Sequence, residues 1–545
     1  MKKSFLLLAF LSISIFTFDV SCIYSQQPTQ EWVSRWPSSS PLSSWGKSIK
    51  SDSQGFIYVL ADTGFGFGFL KYDQNGNLLL RAHNWPGGPY NGGAGAYFDV
   101  ASNGDVYITG SLYIDLDEWI YTVKFNSNGV FQWGKIYNSD NEDQSNDIAL
   151  DNSGNVIVVG ATANGGYTGY ALTIKYNSNG DTLWTMHFNN SPTDAENTKV
   201  VLDNLNNIYT TGDVTFVGRC LVTKYDPNGN LLWFQTFTFD SLRSNLAVGI
   251  NIDQSGNLYV IGTQVTPPPL PYNSFIVKFN NNGNVVWSAA YPGYATGGEN
   301  LWGPVISDDG NAIYYVTSAE DTVGTTGENI KTIKYNSSGS LEWYRAYNGR
   351  LLNSMNLPRG IKLDKYQNIY VCGTAQYQAT GNDFVILKYL PNGILSWSTD
   401  YSGIVINGGD GANDLYIDTS LNVYATGSSR KSINSNIDAV TIKYSQPIGI
   451  ISNGNQMPHV YELNQNYPNP FNSSTIISYE LPKRSGVQLK IFNSVGQLVK
   501  TLVNTEQDAS YYSILLNADD FASGVYFYQL QAGTYSESRK MLLIK

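Results

Sequence analysis

Six polar residues recur at one place in a repeating pattern. Asp143, Asn245, Glu299, Asn356 and Asp410 each precede a turn-forming position by eight residues, and Glu196 is one place off. Carboxylates and carboxamides gathered at one opening could hold a cation or a hydrogen-bonding ligand, and in pairs could do acid–base work on a glycan. A second acid recurs in the turns themselves, at Asp52, Asp151, Asp203, Asp253, Asp364 and Asp418. Each turn offers one carboxylate where calcium takes six to eight oxygens, so an Asp bonding its own turn backbone accounts for the recurrence. Asp140, Glu142, Asp143 and Asp147 form a denser cation candidate. The reading is therefore no cofactor, with calcium the one ion the pattern would admit. Of the three histidines, His83 and His187 fall on outer strands of different repeats and His459 in a linker, which argues against a His-based hydrolase or multi-His metal site. No GxSxG, HExxH, CxxC or P-loop is present, and the glycines of 65–69 lack the helix and Lys that phosphate binding needs.

The elements that must position these groups are read from residues 147–188. Asp151-Asn-Ser-Gly-Asn155 separates IAL from VIVV, and Asn177-Ser-Asn-Gly180 separates ALTIKY from TLWTMHF. Asn, Ser and Gly suit tight turns, and β-branched and aromatic residues suit half-buried strands, so one unit is four antiparallel strands, a to d. The Lys of strand c returns at 71, 124, 175, 224, 278, 334, 388 and 443. A Gly follows it by five positions in the first seven units, and a Trp by nine in six of them, with Leu80 in the first. Four strands per roughly 50 residues is the pattern of a β-propeller blade. The eighth unit stops after strand c, at AVTIKYSQP. TQEWVSRW near the N-terminus supplies the missing strand, with Trp32 at blade spacing before Asp52. The expected fold is all-β, an eight-bladed propeller with seven as the alternative count, its blade Trp residues packing between neighbours rather than serving as a sugar platform.

Residues 1–25 read as a signal peptide, with Lys2 and Lys3 before an apolar run and cleavage near Ser25–Gln26. Cys22 raises a lipoprotein alternative, against which Asp19 stands where an apolar residue is wanted. Nothing later reaches the roughly 20 apolar residues of a membrane helix, so no transmembrane segment is expected in the mature chain. Cys220 and Cys372 lie in different units and read as packed thiols. A net charge of −11 argues against a nucleic-acid partner. The propeller spans 26–447, a Pro/Gly/Asn-rich linker 448–462, and six short β runs in 463–545 make a small Ig-like β-sandwich.

GNVYVTG-like and IKYNSNGxxxW-like segments resemble the SBBP-type β-propeller repeats of secreted bacterial proteins. The stretch from LNQNYPNPFN to SRKMLLIK resembles a type A sorting domain of the type IX secretion system. The match rests on Asn469, Pro470, Phe471 and Asn472, on Gly496, on Gly524 and Tyr526, and on Lys540 in the terminal run. It departs at 508–514, where members carry a Gly before the aromatic, so that strand's register does not follow from the family. The resemblance implies the type IX machinery as a partner and passage through the periplasm to the cell surface or medium. There the sorting domain is often removed.

In such blades the a–b and c–d turns lie on one face, and the b–c and d–a connections on the other. The first kind are uniformly tight here and the second long and variable, which puts function on the second edge, where the six polar residues would ring a channel mouth. The expectation is an exported binding protein for an extracellular protein or glycan. The alternatives are a glycan lyase or hydrolase using those carboxylates, and a structural surface component.

Overall fold

The computed structural model describes residues 27–544 except 37–42, 63–65, 84–91, 115–116, 140–141, 164–168, 189–193, 215–216, 240–243, 266–271, 296–300, 320–326, 350–353, 406–407, 433–435, 447–459, 467–468, 472–473, 508 and 519–520. The leader with Cys22, Asp140, Glu299, His459, Asn472 and most of the linker lie outside the described residues. The chain divides into two compact units, Gln26–Gly454 and one holding Asn455–Lys545.

The described residues of the first unit form eight four-stranded antiparallel sheets, an all-β, propeller-like arrangement. Seven sheets are built in chain order: 45–83, 92–137, 143–188, 195–237, 244–295, 301–347 and 357–401. The eighth combines Gly411–Ile417, Val423–Arg430 and Ile437–Ser445 with the N-terminal strand Thr29–Trp36. That strand runs antiparallel along the eighth sheet's strand c, with Trp32 opposite Lys443 and Trp36 opposite Ala439.

Local chemistry makes each turn. In the third sheet, Asn177 Oδ1 accepts the amides of Asn179 and Asp181, and Gly180 closes the turn at a φ of 85°. The repeat Asp acts the same way: Asp151 Oδ1 accepts the amides of Ser153 and Asn155, while Oδ2 accepts the Asn155 amide group and lies 2.9 Å from Lys175 Nζ. Both ends of that ion pair are buried, at 3% and 2% side-chain exposure.

One arrangement joins successive sheets. Trp184 Nε1 and Lys175 Nζ of the third sheet both donate to the Pro227 carbonyl in the c–d turn of the fourth. The same pair of donors meets Ser178 from the second sheet, Asn281 from the fourth and Pro391 from the sixth. From the fifth, Trp287 Nε1 donates to Ser337. The eighth sheet reaches the first in this way, Trp32 and Lys443 converging on the Gln74 carbonyl. The turn glycine serves twice: it takes the positive φ, and its bare Cα admits the preceding sheet's indole. A Cβ at Gly229 would lie 2.8 Å from the Trp184 ring. The eighth sheet has no c–d turn, and Gln446 Oε1 stands in for its carbonyl, accepting Lys388 Nζ and Trp397 Nε1.

In the second unit, one sheet holds Glu462–Leu463, Ser474–Leu481 and Ser510–Asn517. The other holds Ser485–Asn493, Leu498–Gln507, Gly524–Ala532 and Tyr535–Leu543. They share a core that includes Ile477, Leu489, Tyr528 and Met541. Ser510–Asn517 pairs along Ser474–Leu481 without a register shift, Tyr512 opposite Tyr479, so the departure at 508–514 leaves the pairing regular.

Candidate functional site

The polar positions at the starts of the inner strands are tied into neighbouring connections and strands, and Asn245 joins two loops. The Asn245 amide and its Nδ2 both donate to the Gly218 carbonyl in the b–c connection, while Oδ1 accepts the Phe239 amide from the d–a connection. Asn356 likewise donates to the Glu328 carbonyl of a b–c connection, but its Oδ1 accepts the Gln376 amide on strand b of the seventh sheet, and Asp143 accepts the amide and hydroxyl of Ser139. The Asp410 amide donates to Asn382. All four side chains are buried. They do not present open carboxylates to a channel mouth, because a short polar side chain here can satisfy amides that two long connections would otherwise bury unpaired. Glu196 is half-buried opposite Asp213, and burial raises its carboxyl. Of Asp140, Glu142, Asp143 and Asp147, the described members diverge: Asp143 turns to Ser139, while Asp147 accepts the Val200 amide of the next sheet.

The seventh and eighth sheets bring acids together on this edge. Asp383 on strand c of the seventh sheet, Asp410 before strand a of the eighth and Asp438 on its strand c are 1%, 2% and 4% exposed. Thr380 Oγ1 donates to Asp383 Oδ2. Arg35, from the N-terminal strand, supplies the cation. Its guanidinium lies 3.9 Å from Asp438 and donates to Tyr401 Oη at 2.7 Å and Ser429 Oγ at 2.8 Å. Gly403 closes over Asp410 so tightly that a Cβ there would lie 2.8 Å from the carboxylate. Burial, reinforced by the negative charges of Asp410 and Asp400, pushes the Asp383 carboxyl up to about 6. Burial raises Asp410 too, opposed by Ser429, the Arg430 amide and Arg35. Buried acids in excess over one guanidinium make a place for a proton, an amine or hydroxyl donors. Among the described residues no three His, Cys, Asp or Glu side chains group as a metal site.

Asp383 holds its proton more tightly folded than unfolded, so its stabilising contribution is full below its ordinary value of 3.8 and lost as pH rises through about 6. Asp383→Asn should therefore raise stability at about pH 8 by roughly 2 kcal/mol and leave it nearly unchanged below about pH 4. Denaturant midpoints of both proteins across that range check this. A gain of equal size at both ends would refute it.

Sequence reasoning missed Asp383 and Arg35. Asp383 lies five residues before the strand-c Lys, a place that Asp438, Asn273 and Asn329 also hold, and Arg35 becomes visible only once Trp32 is paired with Lys443. Elsewhere, His187 Nε2 lies 2.7 Å from Tyr137 Oη on adjacent outer strands, and Cys220 and Cys372 are buried free thiols.

In the second unit the two ends of the C-terminal stretch meet. Asn469 Oδ1 accepts the Leu542 amide and its Nδ2 donates to the Lys540 carbonyl. The Phe471 amide donates to Leu542, and the Phe471 carbonyl accepts the Ile544 amide, with its ring buried. Gly524 and Tyr526 start the strand beside them, opposite Leu543 and Met541.

Residues 465–545 match the family of secretion system C-terminal sorting domains. That domain marks proteins exported by type IX secretion, so this chain goes to the cell surface or extracellular space. No curated protein matches the chain. Among solved structures, Sqt1 from Chaetomium thermophilum is 9% identical with a TM-score of 0.45, covering 77% of this chain and all (100%) of that one. A protein of unknown function from Dyadobacter fermentans is 8% identical with a TM-score of 0.37, covering 77% and 99%. Drosophila Plexin A, solved with Semaphorin 1b, is 10% identical with a TM-score of 0.38, covering 77% and 88%.

Proposed function

We propose that residues 26–447 form an eight-bladed β-propeller of the SBBP-repeat kind, closed by its N-terminal strand. In this reading it binds an extracellular protein or glycan through the edge that carries the long connections. Residues 1–25 are its signal peptide, 448–462 a linker and 463–545 its Ig-like export address. The observation that carries the reading is the set of buried polar anchors at Asp143, Asn245 and Asn356. It fixes variable loops onto a rigid scaffold, the arrangement in which loops do binding work. Glu196 lies one place off that position on the fourth sheet. Asp383 and Asp410 lie buried beneath that edge, where a partner that reached them would supply an amine or hydroxyl donors.

The test screens the full chain against extracellular polysaccharides and cell-surface proteins, then compares variants on whatever binds. Asp383→Asn with Asp410→Asn should weaken binding by about tenfold or more, the loss of one good polar contact. Asn179→Asp on the tight-turn edge should leave it unchanged. The reverse pattern would overturn the reading. A second reading, a glycan lyase or hydrolase, draws on the raised Asp383 carboxyl beside a second buried acid. Polysaccharide turnover by the wild type, lost in the double variant, would establish it instead.

A further inference from the structure

At seven junctions between neighbouring sheets an acceptor oxygen takes an indole N–H, at 2.9–3.3 Å. The junction between the first and second sheets has Leu80 instead, and there the Ser127 carbonyl accepts Lys71 Nζ at 3.0 Å with no indole beside it. A cleft of about 310 Å³ opens at that place, walled by Asp52, Phe56, Lys71, Leu80, Ser127 and Asn128.

A second departure from the repeat falls in the same wall. Four residues after the turn Asp, five other units carry an Asn whose amide group donates to that Asp: Asn155, Asn207, Asn257, Asn368 and Asn422. The first unit has Phe56. Its ring lies under Lys71 Nζ, 4.4 Å from the centroid, and Asp52 Oδ2 is left with the Tyr58 hydroxyl. One substitution removes an indole, and the other adds an aromatic wall to the space so left. Were the first only drift, the neighbouring wall would be expected to keep its Asn or close over the gap.

We propose that this cleft is a binding site for a small flat aromatic group bearing an N–H or O–H donor, of the indole class. Leu80 packs on Gly129 where other units set the indole, so the ring lies in the space beyond it, against Phe56 and Leu80, and its donor reaches the Ser127 carbonyl or Asp52 Oδ2. The site lies on the tight-turn edge and is independent of the binding edge proposed above.

Free indole titrated into the full chain by calorimetry should bind with one equivalent and a Kd of roughly 1 mM, typical for so few non-hydrogen atoms. Leu80→Trp should raise the melting temperature and weaken indole binding at least about tenfold, and Phe56→Asn should weaken it several-fold. Trp133→Leu with Asp105→Phe should reproduce both departures at the next junction and add a second equivalent, a gain that misfolding cannot mimic. N-acetyltryptophanamide separates the sources. Tighter binding than indole means that the group arrives as a partner's side chain; weaker binding means a free small molecule. Absence of saturable indole binding by the wild type, or unchanged binding by a folded Leu80→Trp variant, would overturn the proposal. So would a folded protein with Trp133→Leu and Asp105→Phe that gains no second equivalent.

Discussion

Deleting residues 27–36 is expected to open the first unit and leave an aggregating species. The strand removed is the outer strand of the eighth sheet, though it is the first in sequence. Trp32 leaves with it, and with Trp32 the ring that packs on Gly76 and the N–H that reaches the Gln74 carbonyl of the first sheet. Truncating a packed aromatic of this kind costs about 3–5 kcal/mol. Arg35 is lost as well, leaving Asp438 without its guanidinium beside Asp383 and Asp410. Losing one side of this largely buried ion pair adds to that cost. The sum approaches the whole stability of an ordinary domain, about 5–15 kcal/mol. It also bares Ile437–Ser445 as an unpaired edge that can recruit another chain. Calorimetry and light scattering should show a melting temperature lower by tens of degrees, or no cooperative transition, with soluble oligomers. An unchanged transition in a monomer would refute the role given to this strand.

Removing residues 463–545 should have an equally large effect of a different kind. The second unit has its own core, Ile477 to Met541, so its loss should leave the first unit's unfolding transition where it was. Export should fail, with the shortened protein accumulating in the periplasm of its native host. Phe471→Ala should reproduce much of the defect. Phe471 is the buried point at which the Asn469-Pro-Phe segment is tied to the terminal strand through Leu542 and Ile544. Cell fractionation distinguishes the outcomes, and truncated protein at the surface or in the medium would refute the assignment.

Much of this architecture was legible because it depends on spacing. The Lys–Gly–Trp intervals record one physical contact: a Lys and an indole converging on a turn carbonyl whose Gly leaves room for the ring. The repeat Asp was read rightly as a turn former, since its oxygens are taken by amides two and four residues on. The polar positions before strand a illustrate the limit. Their recurrence was visible, but spacing carries no information on which way a side chain turns, and at Asn245 and Asn356 it turns into the loops. Asp383 and Arg35 were hidden for another reason. Arg35 meets Ser429 and Asp438 about four hundred residues away in sequence, and Asp383 stands near Asp410 only where the seventh sheet meets the eighth. Gln446 was missed likewise, because a side-chain oxygen there replaces a backbone carbonyl that the repeat supplies everywhere else.

Closure of the eight sheets by the N-terminal strand is tested most directly by a disulfide across its pairing. Ser34 and Thr441 face each other in the register of Thr29–Trp36 against Ile437–Ser445, and the native thiols Cys220 and Cys372 are buried away from competition. Ser34→Cys with Thr441→Cys should oxidise within one molecule, the directly opposed Cα atoms lying within the span a disulfide bridges. The product should be a monomer with a raised melting temperature and one cross-linked tryptic peptide joining the two strands. Thiols that stay reduced under oxidant, or that link one molecule to another, would contradict a closed ring.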